Sequence, residues 1–94
     1  MTTRAVHLVG AGGAGMSALG LLAVRSGWEV SGTDREEGPA LAALRAAGAD
    51  VRSGHAADAL PRTVDVVVVS TAIPADNPEV LAARERGLPV LHRS

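Results

Sequence analysis

The 94-residue sequence contains no cysteine, no lysine, no tyrosine and no phenylalanine, and Trp28 is its one aromatic residue. Each absence removes a class of chemistry. Without cysteine there is no disulfide framework, no thiolate nucleophile and no thiolate metal site. Without lysine there is no P-loop, whose glycines lead into a lysine that reaches phosphate, and no Schiff-base mechanism. A single aromatic provides no stacking platform for single-stranded nucleic acid. The most strongly apolar run, Val66–Val69, is far too short to span a bilayer. Met1-Thr2-Thr3-Arg4 lacks the apolar stretch of a signal peptide, so a cytoplasmic location is the expectation.

What remains is an ordinary globular composition, 47% hydrophobic with a formal net charge of −1. This length predicts one domain, and the balanced charge gives no bulk attraction to nucleic acid or to a membrane surface. The three histidines, His7, His55 and His92, show no metal-ligand spacing. No paired carboxylates, no Ser-His-Asp set and no activated nucleophile stand out, so neither a catalytic residue nor a metal site is expected.

The most informative segment is Gly10-Ala11-Gly12-Gly13-Ala14-Gly15-Met16-Ser17, directly after the apolar run Val6–Val9. Gly10, Gly12 and Gly15 match G-x-G-x-x-G between a strand and a helix. In that motif the first glycine permits a tight turn, the second admits a diphosphate to the backbone, and the third lets helix pack close to strand. The unpaired N–H groups of the helix's first turn then face the anion, aided by the helix dipole.

Hydrophobic periodicity and turn residues predict strands at Val6–Val9, Glu29–Gly32 (running to Asp34), Asp50–Ser53, Asp65–Ser70 and Pro89–Leu91. Helices are predicted from Met16 to about Ser26, with Met16, Leu19, Leu22 and Ala23 on the packed face, from Pro39 to Ala47, and from Pro78 to just before Gly87. A single helical turn is expected at Ala56–Leu60. Val66–Val69 is β-branched without alternation, as suits a parallel strand covered on both faces. The alternation predicts an α/β fold, a doubly wound, about five-stranded parallel sheet with helices on both faces and right-handed crossovers.

Ligands of such sheets bind at the carboxyl ends of the strands. That edge collects four segments: Gly10–Ser17, Asp34, Gly54-His55 and Ser70–Asn77. Two readings stand for each polar candidate. Ser17 either reaches a phosphate or satisfies local backbone. Asp34 either accepts from ribose hydroxyls or is a turn aspartate. His55 either bonds a base or sugar or is a solvated loop residue. Ser70, Thr71, Ala72 and Ile73 either line the crevice floor, with free N–H groups, or form a polar strand exit. His7 is read as a core or partly covered residue. Glu36, Glu37, Asp58, Asp65, Glu79 and Glu85 are read as solvated surface, caps or dipole partners.

Taken jointly, His7–Ser17, Val30–Asp34, Gly54-His55, Val66–Ile73 and Asp76-Asn77-Pro78-Glu79 resemble the start of the UDP-N-acetylmuramate–L-alanine ligases, a branch of the Mur ligase family. The Gly-Gly-Ala-Gly-Met-Ser run favours that branch over its sisters. The resemblance implies that residues 1–94 are one Rossmann-like domain that holds the UDP portion of UDP-N-acetylmuramate in peptidoglycan precursor synthesis. By position, Gly12, Gly13, Ala14, Gly15, Met16 and Ser17 would hold the diphosphate, Asp34 and His55 would lie near the uridine, and Ser70–Ile73 would border the nucleotide. It also implies central and C-terminal domains that bind ATP with Mg2+ and help bind L-alanine. No G-x-x-x-x-G-K-[ST] occurs here, so this chain alone is expected to bind no cofactor and to form no amide bond. Ser94 is expected to cap a helix of a further segment.

Two other readings remain open on the residues. One is an NAD(P)-binding domain of an oxidoreductase or redox-sensing regulator, which the glycine loop and Asp34 also fit. The other is an interaction module with no ligand in its crevice, pairing as a homodimer through a surface that further domains would otherwise cover.

Overall fold

The computed structural model describes residues 3–93; the capping role expected of Ser94 lies outside them. The elements are β1 (Ala5–Val9), α1 (Ala14–Arg25), β2 (Glu29–Asp34), α2 (Pro39–Ala46), β3 (Asp50–Ser53), a 3-10 turn (Ala57–Ala59), β4 (Val66–Ser70), α3 (Pro78–Glu85) and β5 (Val90–Arg93). All strand pairings are parallel, and the sheet order is β3-β2-β1-β4-β5. The chain therefore winds outward in one direction from β1 and in the other from β4. The reversal lies between the carboxyl ends of β1 and β4, where a doubly wound sheet opens a crevice.

The period of two in parallel strands divides the core into two layers. Val6, Leu8, Val30, Val51 and Val68 pack with Met16 of α1 and with Leu41 and Leu44 of α2. On the other face Val9, Val67 and Val69 pack with Leu60, Val64, Val80 and Ala83. Both faces of the central strands are thus covered, as the β-branched run predicts.

Two local expectations change. Helix α1 begins at Ala14 with Gly13 as N-cap, two residues before the predicted start, so Gly15 lies inside the first turn. The packed face of α1 is set by Met16 and Gly20, while Leu22 is 61% exposed. A Cβ at Gly20 would meet Leu44 Cδ2 at 2.7 Å and Leu8 Cδ1 at 2.9 Å. Close helix–strand packing therefore rests on Gly20. At Gly15 a Cβ would meet Arg93 Nε at 3.0 Å, so the third glycine of the motif makes room for a guanidinium from β5.

Helix α3 starts as the sequence predicts. Pro78 occupies the first turn, and the Asn77 side chain accepts the Glu79 N–H at 2.8 Å and the Val80 N–H at 3.3 Å. Because Asn77 is buried, its loss leaves two backbone donors unsatisfied. Asn77→Ala is expected to lower unfolding free energy by about 1–2 kcal/mol. Urea denaturation checks this, with a change below about 0.3 kcal/mol counting against the cap.

Candidate functional site

Because all five strands are parallel, the four segments singled out above leave the same sheet edge. They border a crevice of about 620 Å³, within the ordinary range of small-molecule sites, about 300–1,000 Å³. Gly10, Gly13, Asp34, His55, Ser70, Ala72 and Ile73 line it as expected. Arg35, Pro74, Asp76, Asn77 and Pro78 also line it. Thr71 is exposed and, with Gly12, Ala14, Gly15, Met16 and Ser17, is not among the lining residues.

The glycine loop is shaped by both neighbours of β1. Gly10 has φ +89°, and a Cβ there would sit 2.8 Å from Ser70 Cβ; only glycine combines that backbone with the approach to β4. Gly10 and Ala11 N–H both donate to the Thr33 carbonyl, at 2.9 and 2.8 Å, which ties the loop to β2. At Gly12 the missing side chain leaves room for Asp34, whose Oδ2 would lie 2.8 Å from a Cβ and accepts the Gly12 N–H at 2.8 Å. Asp34 Oδ1 accepts the Glu36 N–H at 3.2 Å. Asp34 is thus a loop anchor, and each carboxylate oxygen keeps a second lone pair for a further donor.

The N-terminus of α1 carries no side-chain cap. The Ala14, Gly15 and Met16 N–H groups have no hydrogen-bond partner among the described residues, as the geometry of a first helical turn requires. The Met16 side chain itself is buried in the core, 3% exposed, so only its backbone is offered. Ser17 serves the helix: its N–H donates to the Gly13 carbonyl at 2.8 Å and its hydroxyl to the Ala14 carbonyl at 3.1 Å. Of the two readings of Ser17, its hydrogen bonds match the local one. The exit of β4 is corrected. Ala72 N–H donates to Ser70 Oγ at 3.3 Å and Ile73 N–H to the Ser70 carbonyl at 3.0 Å, so a local turn consumes both.

The largest departure is Glu79, read from sequence as solvated, a cap or a dipole partner. It occupies the first turn of α3, yet it is fully buried. Its Oε1 lies 2.6 Å from His7 Nε2 and accepts from the Thr33 hydroxyl at 2.7 Å. Its Oε2 lies 2.9 Å from the same hydroxyl and 3.3 Å from His55 Nδ1, and accepts the Ala56 N–H at 3.1 Å. His7 Nδ1 lies 2.8 Å from Ser31 Oγ. Burial pushes the Glu79 carboxyl up, but the hydrogen bonds from His7, Thr33 and Ala56, with the charge on His7, hold it below the usual carboxylate range. The sequence does carry a signal for this network. Ser31 and Thr33, two residues apart in a buried strand with Ser31 beside His7 and Thr33 beside Val9 in the register, mark polar positions on one sheet face that need a partner from the covering helix.

Comparison with known proteins follows the same lines. Residues 5–94 match the family described as Mur ligase family, catalytic domain. A UDP-N-acetylmuramate–L-alanine ligase of Streptomyces coelicolor is 50% identical over 88 residues, covering 94% of this chain and 19% of that protein. The crystal structure of a UDP-N-acetylmuramate–alanine ligase from Thermotoga maritima matches with a TM-score of 0.91 at 36% identity, covering 98% of this chain and 21% of that one. A UDP-N-acetylmuramate:L-alanyl-gamma-D-glutamyl-meso-diaminopimelate ligase from Neisseria meningitides matches with a TM-score of 0.85 at 32% identity, covering 97% and 29%. The chain spans about a fifth of the length of the curated relatives it matches.

Proposed function

Since the chain belongs to the Mur ligase family, we propose that its crevice holds the UDP portion of UDP-N-acetylmuramate, and that residues 1–94 act as the N-terminal domain of an alanine-adding ligase. The observation that carries this reading is the uncapped start of α1, with three N–H groups at the switch point of the sheet. A helix start of this kind binds a diphosphate through backbone donors and dipole. The matched ligases support the choice of ligand. Their names differ in what is joined and share UDP-N-acetylmuramate, so a domain similar to both suits the shared part.

In this reading Ala14, Gly15 and Met16 N–H groups face the diphosphate, Arg93 and Arg35 are the nearby cations, and Asp34 and His55 flank the nucleoside. No lysine exists, so the chain builds no P-loop to hold ATP with Mg2+. Amide-bond formation is accordingly assigned to parts of the parent ligase beyond this chain.

An NMR titration tests the reading. UDP-N-acetylmuramate is expected to shift the amide signals of Ala14, Gly15 and Met16 and to raise the thermal midpoint. Unchanged amides at millimolar ligand would reject it. Preferential stabilisation by NAD in the same thermal assay would move the assignment to a nicotinamide-dinucleotide domain, the reading that Asp34 at the tip of β2 also permits.

A further inference from the structure

We propose that Glu79 is a positioning residue for the crevice, acting through Thr33 to hold His55 with its ring proton on Nδ1, so that Nε2 presents a lone pair to a hydrogen-bond donor on the nucleoside. The inference rests on the UDP-sugar reading of the site and adds a direction to one of its hydrogen bonds.

The argument is a count of protons. The Thr33 hydroxyl has one, and it lies within 2.9 Å of both Glu79 oxygens and 2.8 Å from His55 Nδ1. An ionised carboxylate only accepts, so the hydroxyl proton goes to Glu79. The Thr33 oxygen then turns a lone pair to Nδ1, which must supply the hydrogen. The second neighbour of Nδ1, Glu79 Oε2 at 3.3 Å, is also an acceptor and demands the same. A neutral imidazole with its proton on Nδ1 has an unprotonated Nε2. That atom has no partner among the described residues, and His55 lines the crevice. Glu79 also accepts the Ala56 N–H, so one carboxylate fixes both the ring and the backbone beside it. Every buried side-chain polar atom among the described residues has a partner.

The consequence is a preference. The crevice at His55 favours a ligand group that donates, as a ribose hydroxyl or the uracil imide N–H does, and disfavours a bare acceptor there. Glu79→Gln keeps its amide oxygen on the Ala56 N–H, which puts its N–H2 against Thr33 and His7 and frees the Thr33 hydroxyl proton to turn to Nδ1. The ring proton then moves to Nε2, and the crevice receives a donor where it had an acceptor.

The test reads the tautomer directly, by long-range 1H–15N correlation of His55 in the 94-residue chain without ligand. At a pH where the ring is neutral, the wild type is expected to show a protonated Nδ1 and a bare Nε2. E79Q is expected to show the reverse and to bind UDP-N-acetylmuramate about tenfold more weakly. In a His55→Gln background, where an amide rotates freely, E79Q is expected to change affinity by less than about twofold, as a double-mutant cycle measures. A proton on Nε2 in the wild type overturns the proposal whether or not E79Q folds. So does a tautomer switch in E79Q with unchanged affinity, or an equal loss in both backgrounds. Failure of the wild type to bind the UDP-sugar at all rejects the function reading and leaves the tautomer measurement to stand by itself.

Discussion

Gly13→Asp is expected to abolish UDP-sugar binding while leaving the fold intact and slightly more stable. The backbone of Gly13 is extended, with φ −65° and ψ 148°, open to any residue. A Cβ there meets nothing closer than the Gly10 carbonyl oxygen at 3.5 Å, an ordinary contact. As the N-cap of α1, an aspartate accepts from the first-turn N–H groups and complements the dipole. Relative to glycine that adds a few tenths of a kcal/mol, or about 2–4 °C in a domain of this size. The same carboxylate occupies the donors assigned to the diphosphate and opposes its charge. Two unit charges about 4 Å apart repel by about 4 kcal/mol at a surface-like dielectric, so an affinity loss of at least about 100-fold follows. Gly13→Ala, which adds the Cβ without the charge, is expected to bind within about threefold of the wild type. Calorimetric titration of both variants decides the matter. Binding by Gly13→Asp within a few-fold of wild type would move the diphosphate away from α1.

Glu79→Ala is expected to be the most damaging single substitution in stability. It removes the shared acceptor of His7, Thr33, His55 and the Ala56 N–H and opens a cavity beneath α3. Breaking a buried, hydrogen-bonded charge in this way costs about 3–5 kcal/mol, against total stabilities of about 5–15 kcal/mol for domains of this kind. Chemical denaturation checks it, and a loss below about 1 kcal/mol would show that the network carries little stability. The same group sets an acid dependence. The folded Glu79 pKa is lowered, so the unfolded chain binds the proton more readily. The stabilisation is then complete above the ordinary glutamate value, about 4.3, and is lost as pH falls through the folded value. Glu79→Gln, which cannot ionise, is expected to flatten the acid limb of stability against pH. An unchanged limb would place the acid sensitivity on other carboxylates.

Large apolar residues stand exposed on the α1 side of the sheet. Leu22 of α1 and Leu91 of β5 are 61% and 56% exposed, and Leu19, Trp28, Val66 and Val68 line an apolar groove beside Leu22. The predicted packed face of α1 fails at Leu22 for this reason: helical periodicity selects a stripe about 100° wide. Which side of the stripe meets the sheet depends on Gly20, whose missing side chain lets Leu8 and Leu44 approach.

Much about this protein was legible before folding, because the signals are local. Turn glycines, a proline at the first turn of α2 and of α3, and the β-branched run of β4 declare the element order. A parallel sheet then follows, and with it the common edge that gathers Gly10–Ser17, Asp34, His55 and Ser70–Asn77. What only the tertiary structure decided are contacts between residues far apart in sequence. Gly12 with Asp34 and Gly15 with Arg93 show that two glycines of the motif make way for side chains from β2 and β5. Glu79 reads as surface because a glutamate in a helix's first turn is satisfied by water and dipole alone. It is buried because β1, β2 and the loop after β3 each bring a donor to the same point, and a buried carboxylate is tolerated only where such donors converge. No local pattern encodes that convergence; the sheet order does.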